Sequence, residues 1–290
     1  MTKKHQLHQF LTWLTGKLSQ QDERGPSAAQ AFRRNTAWCW SVEPSLGPVT
    51  TTHHTILVDG IYIGSWCLLI AVTETLQVLA WQWCARESTA AWAELFERIP
   101  APTVVVCDGG ARIHAALRQE WPRTQIQRCL FHVRMNLRRY LTLRPRTYAG
   151  KHLAQIGKAL SEVDTVEGAI EWKKLLEVWW QAYGQLTKER TRYRDGTIGF
   201  THDRLRKAWR LLLELNRKDH LFTYLVHGNG RTISPLEGGI NNGIRTVLRN
   251  HRGMTEPHMK RAAEWILTLQ EIPLGRAHEF IRASPFTPQK

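Results

Sequence analysis

The chain has 290 residues, of which 42% are hydrophobic and 22% charged, which indicates a globular protein of one large domain or two smaller ones. No apolar run reaches the roughly 18 residues of a membrane helix, the N-terminus lacks a signal region, and five cysteines without a Cys-x-x-Cys pair argue against a disulfide framework. The net charge of +15 favours a polyanionic partner, so we expect a cytoplasmic protein that binds nucleic acid and no membrane.

The first residues predict two short helices around a turn. Apolar residues recur at helical spacing from Leu7 to Leu18, and a second amphipathic stretch covers 27–40. Two interpretations are open: a helix-turn-helix fragment that binds DNA with Arg33 and Arg34 nearby, or a helical hairpin packed on the main domain. A Pro- and Gly-rich stretch then indicates a linker.

The next part of the chain predicts the order β-β-β-α-β-α-β, followed by a helix. Runs rich in Ile, Val, Leu and Trp predict the strands, and the short connections between the first three suit antiparallel neighbours. Ser88 is a suitable N-cap for the first helix. The strands are expected at 52–64, 65–75, 75–87, 100–110 and 124–131, and the helices between them at 88–99 and 111–121.

From about 133 to 225 the sequence shows no further strand signal, and its amphipathic stretches predict helices. Two more helices follow Pro235, and the tail from 275 looks loose. An α/β sheet with a long helical region inserted in it is therefore expected.

Three acidic residues stand where solvated acids are unexpected. Asp59 interrupts an apolar strand, Asp108 follows another at its C-terminal end, and Glu237 opens a helix. Each alone has an ordinary explanation, such as a strand-end turn or a helix N-terminus. Together they supply the oxygen ligands that two divalent cations need for chemistry on a phosphodiester. Gly109 and Gly110 would let a ligand approach the backbone closely.

The helix that begins at Glu237 predicts one polar stripe, because Glu237, Asn241, Arg245 and Arg249 recur every four residues. The arginines of this stripe would meet phosphates. Its three glycines each weaken the helix by roughly 1 kcal/mol, which indicates close approach to the sheet or to DNA. These glycines are Gly238, Gly239 and Gly243.

These motifs resemble those of DDE transposases, and most closely those of bacterial insertion-sequence transposases of the Mutator-like superfamily. The resemblance covers about 50–265. It rests on Val58-Asp59-Gly60, on Cys107-Asp108-Gly109-Gly110, on Trp121-Pro122 with Gln127-Arg128-Cys129-x-x-His132, and on Leu236-Glu237-Gly238-Gly239-Ile240-Asn241 with Leu248-Arg249-Asn250-His251-Arg252-Gly253.

The resemblance implies an RNase H-like fold, a five-stranded mixed sheet flanked by helices with an all-helical insertion domain. It divides the chain into a helical N-terminal segment (1–50), a catalytic core in two parts (51–140 and 229–270), the insertion domain (141–228) and a tail (271–290). Asp59, Asp108 and Glu237 would be the catalytic triad holding two Mg²⁺ or Mn²⁺ ions.

The implied reaction is hydrolytic nicking at the transposon ends, followed by attack of the freed 3′-hydroxyl on target DNA. The partners would be double-stranded DNA, namely terminal inverted repeats and target, in association with the nucleoid. A homodimer is left open. A structure-specific nuclease on the same fold, or a truncated DNA-binding remnant without catalysis, are the alternatives.

Further roles follow from the same resemblance. The expected DNA contacts are Arg128, His132, Asn241, Arg245, Arg249, His251 and Arg252. The expected structural residues are Cys129, Gly60, Gly109 and Gly238. The Cys129/His132 pair has no second pair of zinc ligands nearby, so a structural role or a DNA contact is expected instead.

The sequence departs from the family pattern in two places. Relatives begin with a cysteine-rich zinc ribbon that we do not find, so a short version with weaker recognition of transposon ends is expected. Relatives often carry Asn where Ser234 stands. Both departures are compatible with catalysis but argue against full competence for transposition.

The helical region carries two basic runs that would be either solvated faces or phosphate contacts. The 13 tryptophans are likewise open to two interpretations, packing in the core or stacking on bases. The basic runs are Arg134, Arg138, Arg139, Arg144, Arg146 and Lys151, and then Arg192, Arg194, Arg204, Arg206, Lys207 and Arg210.

Overall fold

The structure is a computed structural model, and it describes residues 2–20 and 25–281. The chain forms two compact units. The first comprises Met1–Pro102, Ala111–Pro122 and Ser234–Lys290, and the second comprises Thr103–Gly110 and Arg123–Ile233. The five-part division expected from the sequence stays a prediction.

Five strands form one mixed sheet. They are Thr55–Ile63 (β1), Trp66–Thr73 (β2), Val78–Cys84 (β3), Val104–Cys107 (β4) and Gln125–Arg128 (β5). The order across the sheet is β3-β2-β1-β4-β5. The first three strands pair antiparallel and the last two pair parallel. The sheet and its flanking helices confirm the expected α/β, RNase H-like class.

The helices lie close to their predicted places. They are Lys3–Thr15 (α1), Pro26–Thr36 (α2), Thr89–Phe96 (α3), Ala111–Glu120 (α4), Leu130–Leu141 (α5), Tyr148–Ala159 (α6), Val166–Tyr183 (α7), Asp203–Arg217 (α8), Thr223–His227 (α9), Ser234–Leu236 (α10), Asn242–Asn250 (α11) and Glu256–Glu271 (α12). Ser88 caps α3 as expected, because its hydroxyl accepts a hydrogen bond from the backbone N–H of Ala91 at 3.1 Å.

The N-terminal helices belong to the core of the first unit. Leu7, Phe10 and Leu14 of α1 are buried in one cluster with Trp265 of α12. Leu18, expected on the same face, is instead 55% exposed, because α1 ends at Thr15. This packing agrees with the helical-hairpin interpretation; the helix-turn-helix alternative stays a prediction, and its turn at 21–24 lies outside the described residues.

The second unit is helical around a core of its own, in which helices α5 to α8 pack together through buried leucines and tryptophans. The expectation of a region without strands is corrected at one place: Arg190–Arg192 (β6) and Ile198–Phe200 (β7) form an antiparallel pair. Asp195 and Gly196 make the turn between them. Asp195 accepts the N–H of Thr197, and Gly196 has a φ of +85°. Strands of three residues are too short to show an alternating pattern.

The beginning of the tail is ordered, which corrects the prediction of a loose segment. Leu274–Phe280 forms a 3₁₀ helix with Ala277 buried, and Pro44 bridges Ile281. The rest of the tail, 282–290, lies outside the described residues. Among the helices that the structure describes, none combines the length and the apolar character required for a membrane span.

Candidate active site

Asp59 lies in β1 beside the helical segment that starts with α10. It pairs in register with Ile70 of β2. The amide of Asn241 donates a hydrogen bond from Nδ2 to Asp59 Oδ2 at 2.8 Å. Glu237 and Asn241 are the first and last residues of a single helical turn. This hydrogen bond therefore holds Asp59 next to the turn that begins at Glu237.

This turn, Glu237–Asn241, is π-helical, because the backbone N–H of Asn242 donates to the carbonyl of Glu237. A π turn holds one residue more than an α turn, so residues before and after it are shifted in phase by about 100°. Asn241 is buried, at 1% exposure, whereas Arg245 and Arg249 are exposed, so the predicted residues do not form one exposed polar stripe.

The burial of Asn241 corrects its predicted role as a DNA contact, since its side chain holds Asp59 instead. Its Oδ1 atom is buried and has no hydrogen-bond partner among the residues that the structure describes. An acceptor oxygen in that position suits a hard divalent cation, or water bound to one. The oxygen-rich side chains here thus fit the metal that the sequence resemblance implies.

A carboxylate that the sequence analysis missed, Glu87, also lies beside β1. A Cβ at Gly60 would stand 2.9 Å from Glu87 Oε1 and 3.2 Å from Leu69 Cδ2, which fits the expected structural role of Gly60. The backbone carbonyl of Glu87 accepts a hydrogen bond from Arg112. In the sequence, Glu87 could have been identified as a candidate by its position between the end of β3 and Ser88, the N-cap of α3.

In the second unit, Asp108 follows β4 and is exposed. Its Oδ1 accepts the backbone N–H of Gly110 at 3.1 Å. Gly109 has a φ of +77°, and a Cβ there would stand only 1.1 Å from Nη1 of Arg128. The missing side chain makes room for Arg128 and not for a ligand, which corrects that part of the prediction. Burial raises the pKa of Cys107 to about 12, so this thiol stays neutral beside Asp108.

Arg128 was expected to contact DNA, but it is 3% exposed and covers Gly109. Cys129 is fully buried. Its N–H donates to the carbonyl of Cys107 at 2.9 Å, and its Sγ accepts the N–H of Ile233 at 3.4 Å. These bonds favour the structural role expected of Cys129. His132 is half-buried in α5, and its DNA contact stays a prediction.

Among the other expected DNA contacts, Arg245, Arg249 and Arg252 are exposed on the first unit. Their contacts to DNA stay predictions. His251 is only 6% exposed, and its Nε2 donates a hydrogen bond to the carbonyl of Leu14 at 2.9 Å. This burial argues against the predicted phosphate contact, because the ring is used to hold α1.

The glycines of the π-helical segment do not pack as expected. A Cβ at Gly238 or Gly243 would meet no atom within 4 Å. Only Gly239 approaches the sheet region, where a Cβ would stand 3.3 Å from Leu76 Cδ1. No contact among the described residues therefore supports the structural role expected of Gly238. Of the two reasons foreseen for these glycines, close approach to the sheet applies to Gly239 alone.

Over residues 2–20 and 25–281, no three His, Cys, Asp or Glu side chains form a group that could hold a metal ion. Asp59 and Glu237 belong to the first unit and Asp108 to the second. The metal site of three carboxylates stays a prediction.

A sequence model of the Mutator family of transposases matches residues 65–251. The match includes the motifs around Asp108 and Glu237 and begins after Asp59. Together with the α/β fold, this match supports a DNA transposase. The chain belongs to the Mutator family of transposases. A comparison with curated proteins finds no match.

Proposed function

We propose that the chain is a metal-dependent DNA transposase in which Asp59, Asp108 and Glu237 form the catalytic triad and hold two Mg²⁺ or Mn²⁺ ions. It cuts double-stranded DNA at the terminal inverted repeats of an insertion sequence and joins the freed 3′-hydroxyl to target DNA. Membership of the Mutator family supports the overall reaction. The observation that carries the site is the hydrogen bond from Asn241 to Asp59 at 2.8 Å.

The chemistry of this hydrogen bond favours a cation-binding role for Asp59. An amide orients a carboxylate without neutralising it, whereas an arginine in the same place would supply the positive charge that a metal is meant to supply. Because Asn241 lies in the turn that Glu237 opens, the same bond fixes the first motif relative to the third. The buried Oδ1 of Asn241 adds another oxygen beside Asp59.

Divalent ions bound there would polarise the phosphodiester and stabilise the attacking and leaving oxygens. The contribution of the chain is to present Asp59, Asp108 and Glu237 as oxygen ligands and to hold Asp59 in position through Asn241. Surface arginines would hold the DNA backbone, which positions the duplex without reading its sequence.

The test compares Asp59→Asn, Asp108→Asn and Glu237→Gln with a matched control, Glu171→Gln, whose exposed carboxylate pairs with Lys174. Each triad variant should lower Mg²⁺-dependent nicking of transposon-end DNA by about 10³-fold or more. Binding of the same DNA should stay within a few-fold of wild type, and the control should behave as wild type. Nicking that survives in any triad variant would reject its assignment.

The wild-type protein in the same assay separates the alternatives. Cleavage without joining of the ends to target DNA would favour a structure-specific nuclease. Salt-sensitive DNA binding with no metal-dependent cleavage would favour a non-catalytic remnant.

The role of Asn241 is tested by metal binding as well as by activity. Asn241→Ala should weaken Mn²⁺ binding, followed by electron paramagnetic resonance, by about 10- to 100-fold, the usual effect of losing a partner that orients a metal ligand. Unchanged Mn²⁺ affinity would mean that this hydrogen bond only packs the helix on β1.

A further inference from the structure

The helical region of the second unit carries an apolar groove between α5 and α6, with a volume of about 390 Å³. Phe131 and Met135 of α5 and Leu143, just after that helix, line the groove and are 46%, 45% and 70% exposed. The two helices lie close together because α6 has a glycine at their contact, Gly157, where a Cβ would collide with Leu137. Aromatic and methionine side chains are enriched at protein interfaces, and an apolar groove between helices suits a helix from a partner.

The rim of the groove is positively charged. Arg134, Arg138 and Lys158 line it, and no acidic side chain does so among the residues that the structure describes. Within that part of the chain, Arg138 and Lys158 have no carboxylate close enough for an ion pair. Arg134 donates to the neutral hydroxyl of Ser161 at 3.2 Å. A partner with apolar and acidic side chains therefore fits this groove best.

Helix α7 of the same unit carries a surface that complements the groove. Its buried residues, among them Trp172 and Trp179, lie on one face of the helix. Val166, Ile170 and Val178 lie on the opposite face and are 51%, 48% and 59% exposed. Apolar side chains that recur on the outer face of a helix indicate a surface that another molecule covers.

The beginning of α7 is acidic. Glu162 and Asp164 precede the helix, Glu167 lies in its first turn, and all three are exposed. Lys174, the basic residue in the middle of the outer face, is paired with Glu171 at 2.8 Å, so its charge is balanced within the helix. The outer surface of α7 therefore combines apolar and acidic side chains, whereas the groove combines apolar and basic ones.

We propose that α7 of one copy of the chain docks in the α5–α6 groove of a second copy, with its apolar residues against Phe131 and Met135 and with Glu167 beside Arg138. The lengths agree, because the outer face of α7 from 166 to 178 extends about 18 Å and the α5 wall of the groove from 131 to 141 about 15 Å. Every copy carries both surfaces, so two copies can make the contact twice around a two-fold axis. The inference goes beyond the proposed catalytic function and does not depend on it, because the mass of the protein is measured without any reaction.

The test measures the mass of the full chain by sedimentation equilibrium over a range of concentrations, after nuclease treatment to remove bound nucleic acid. Wild type should approach the mass of two copies as the concentration rises. Ile170→Gln on α7 and Phe131→Gln in the groove should each weaken dimerisation by about 10- to 100-fold, because each variant changes both contacts. Val226→Gln changes a 77% exposed valine of α9, outside both surfaces, and is the matched control that should dimerise as wild type does.

Exchange of charges tests which residues meet. Glu167→Arg and Arg138→Glu should each weaken dimerisation by about tenfold or more, because each variant brings like charges together at both contacts. A mixture of the two variants should dimerise nearly as well as wild type, because in the mixed dimer each α7 meets a groove of opposite charge. A mixture that dimerises no better than the separate variants would overturn the proposal.

Hydrogen exchange followed by mass spectrometry locates the contact without variants. Peptides covering 130–143 and 166–178 should exchange more slowly at high than at low protein concentration, whereas peptides covering β6 and β7 should exchange alike at both. Wild type that remains a monomer at every concentration would overturn the proposal, and so would a dimer that neither Ile170→Gln nor Phe131→Gln weakens. Loss of DNA affinity in Phe131→Gln with the mass unchanged would assign the groove to DNA and would also overturn it.

Discussion

Replacement of Gly109 by alanine should destabilise the end of β4, whereas the same change at the next residue should not. The motif Asp108-Gly109-Gly110 offers two adjacent glycines in different surroundings. A Cβ at Gly109 would stand 1.1 Å from Arg128 Nη1 and 2.5 Å from its Cδ. A Cβ at Gly110 would meet only Asp108 Oδ1, at 3.9 Å. Gly110 therefore serves as the internal control.

Two costs add at Gly109. Its φ of +77° lies in the left-handed region, where a residue with a Cβ loses roughly 1–2 kcal/mol. The side chain of Arg128 must also leave a place in which it is 3% exposed, and displacing a buried polar group costs about 1–3 kcal/mol. The expected loss is about 2–5 kcal/mol in total. Gly110→Ala should change stability by less than about 1 kcal/mol.

Hydrogen exchange followed by mass spectrometry suits this test, because the chain forms two compact units and one unfolding curve would mix them. Peptides covering β4 and β5 should exchange at least tenfold faster in Gly109→Ala than in Gly110→Ala. Peptides from α1 and α12, in the first unit, should exchange alike in both variants. Equal protection of β4 in the two variants would refute the claim that Gly109 makes room for Arg128.

Two further predictions concern buried polar groups of the first unit. His251→Ala should lower the free energy of unfolding by about 2–4 kcal/mol, because the carbonyl of Leu14 loses its donor and a cavity forms. DNA affinity should change less in this variant than in Arg252→Ala. A loss of DNA affinity without a loss of stability would instead support the predicted phosphate contact. Burial raises the pKa of Glu264 above its ordinary value of 4.5 despite the ion pair with Arg261, so the proton is bound more tightly in the folded state. The free energy of unfolding of wild type minus that of Glu264→Gln should therefore fall as pH rises above 4.5. Urea unfolding at several pH values measures this difference. A difference that stays constant or rises with pH would contradict the assignment.

Apolar periodicity was sufficient to predict the strands and most helices. β1, β2 and β4 are runs of mainly buried β-branched and apolar residues, and α8 has a clear amphipathic pattern, so local sequence and tertiary burial agree. The pair β6 and β7 was missed because each strand has three exposed or half-exposed residues. Their pairing depends on the Asp195-Gly196 turn, which was read as part of a helical region.

Burial of polar side chains was the harder problem. The family resemblance predicts that Arg128, Asn241 and His251 contact DNA, yet each is less than a tenth exposed. Each has a local reason that single-sequence patterns do not encode: a glycine that admits a guanidinium, a carboxylate that needs an amide, and a helix carbonyl that needs a donor. These partners are distant in sequence, so only the tertiary structure brings them together.

The π-helical turn Glu237–Asn241 shows how the local type of helix affects the interpretation of the site. The four-residue spacing from Glu237 to Arg249 predicts one exposed DNA-binding stripe only if the whole segment is a regular α-helix and every member of the stripe is exposed. The turn Glu237–Asn241 is π-helical instead, and Asn241 at its end is buried and donates to Asp59, whereas Arg245 is in solvent. The helix thereby presents one face to the carboxylate and another to the surroundings. A π turn weakens the hydrogen bonds of its helix, and such turns occur often at functional sites. Here the π turn ends at Asn241, whose amide holds Asp59.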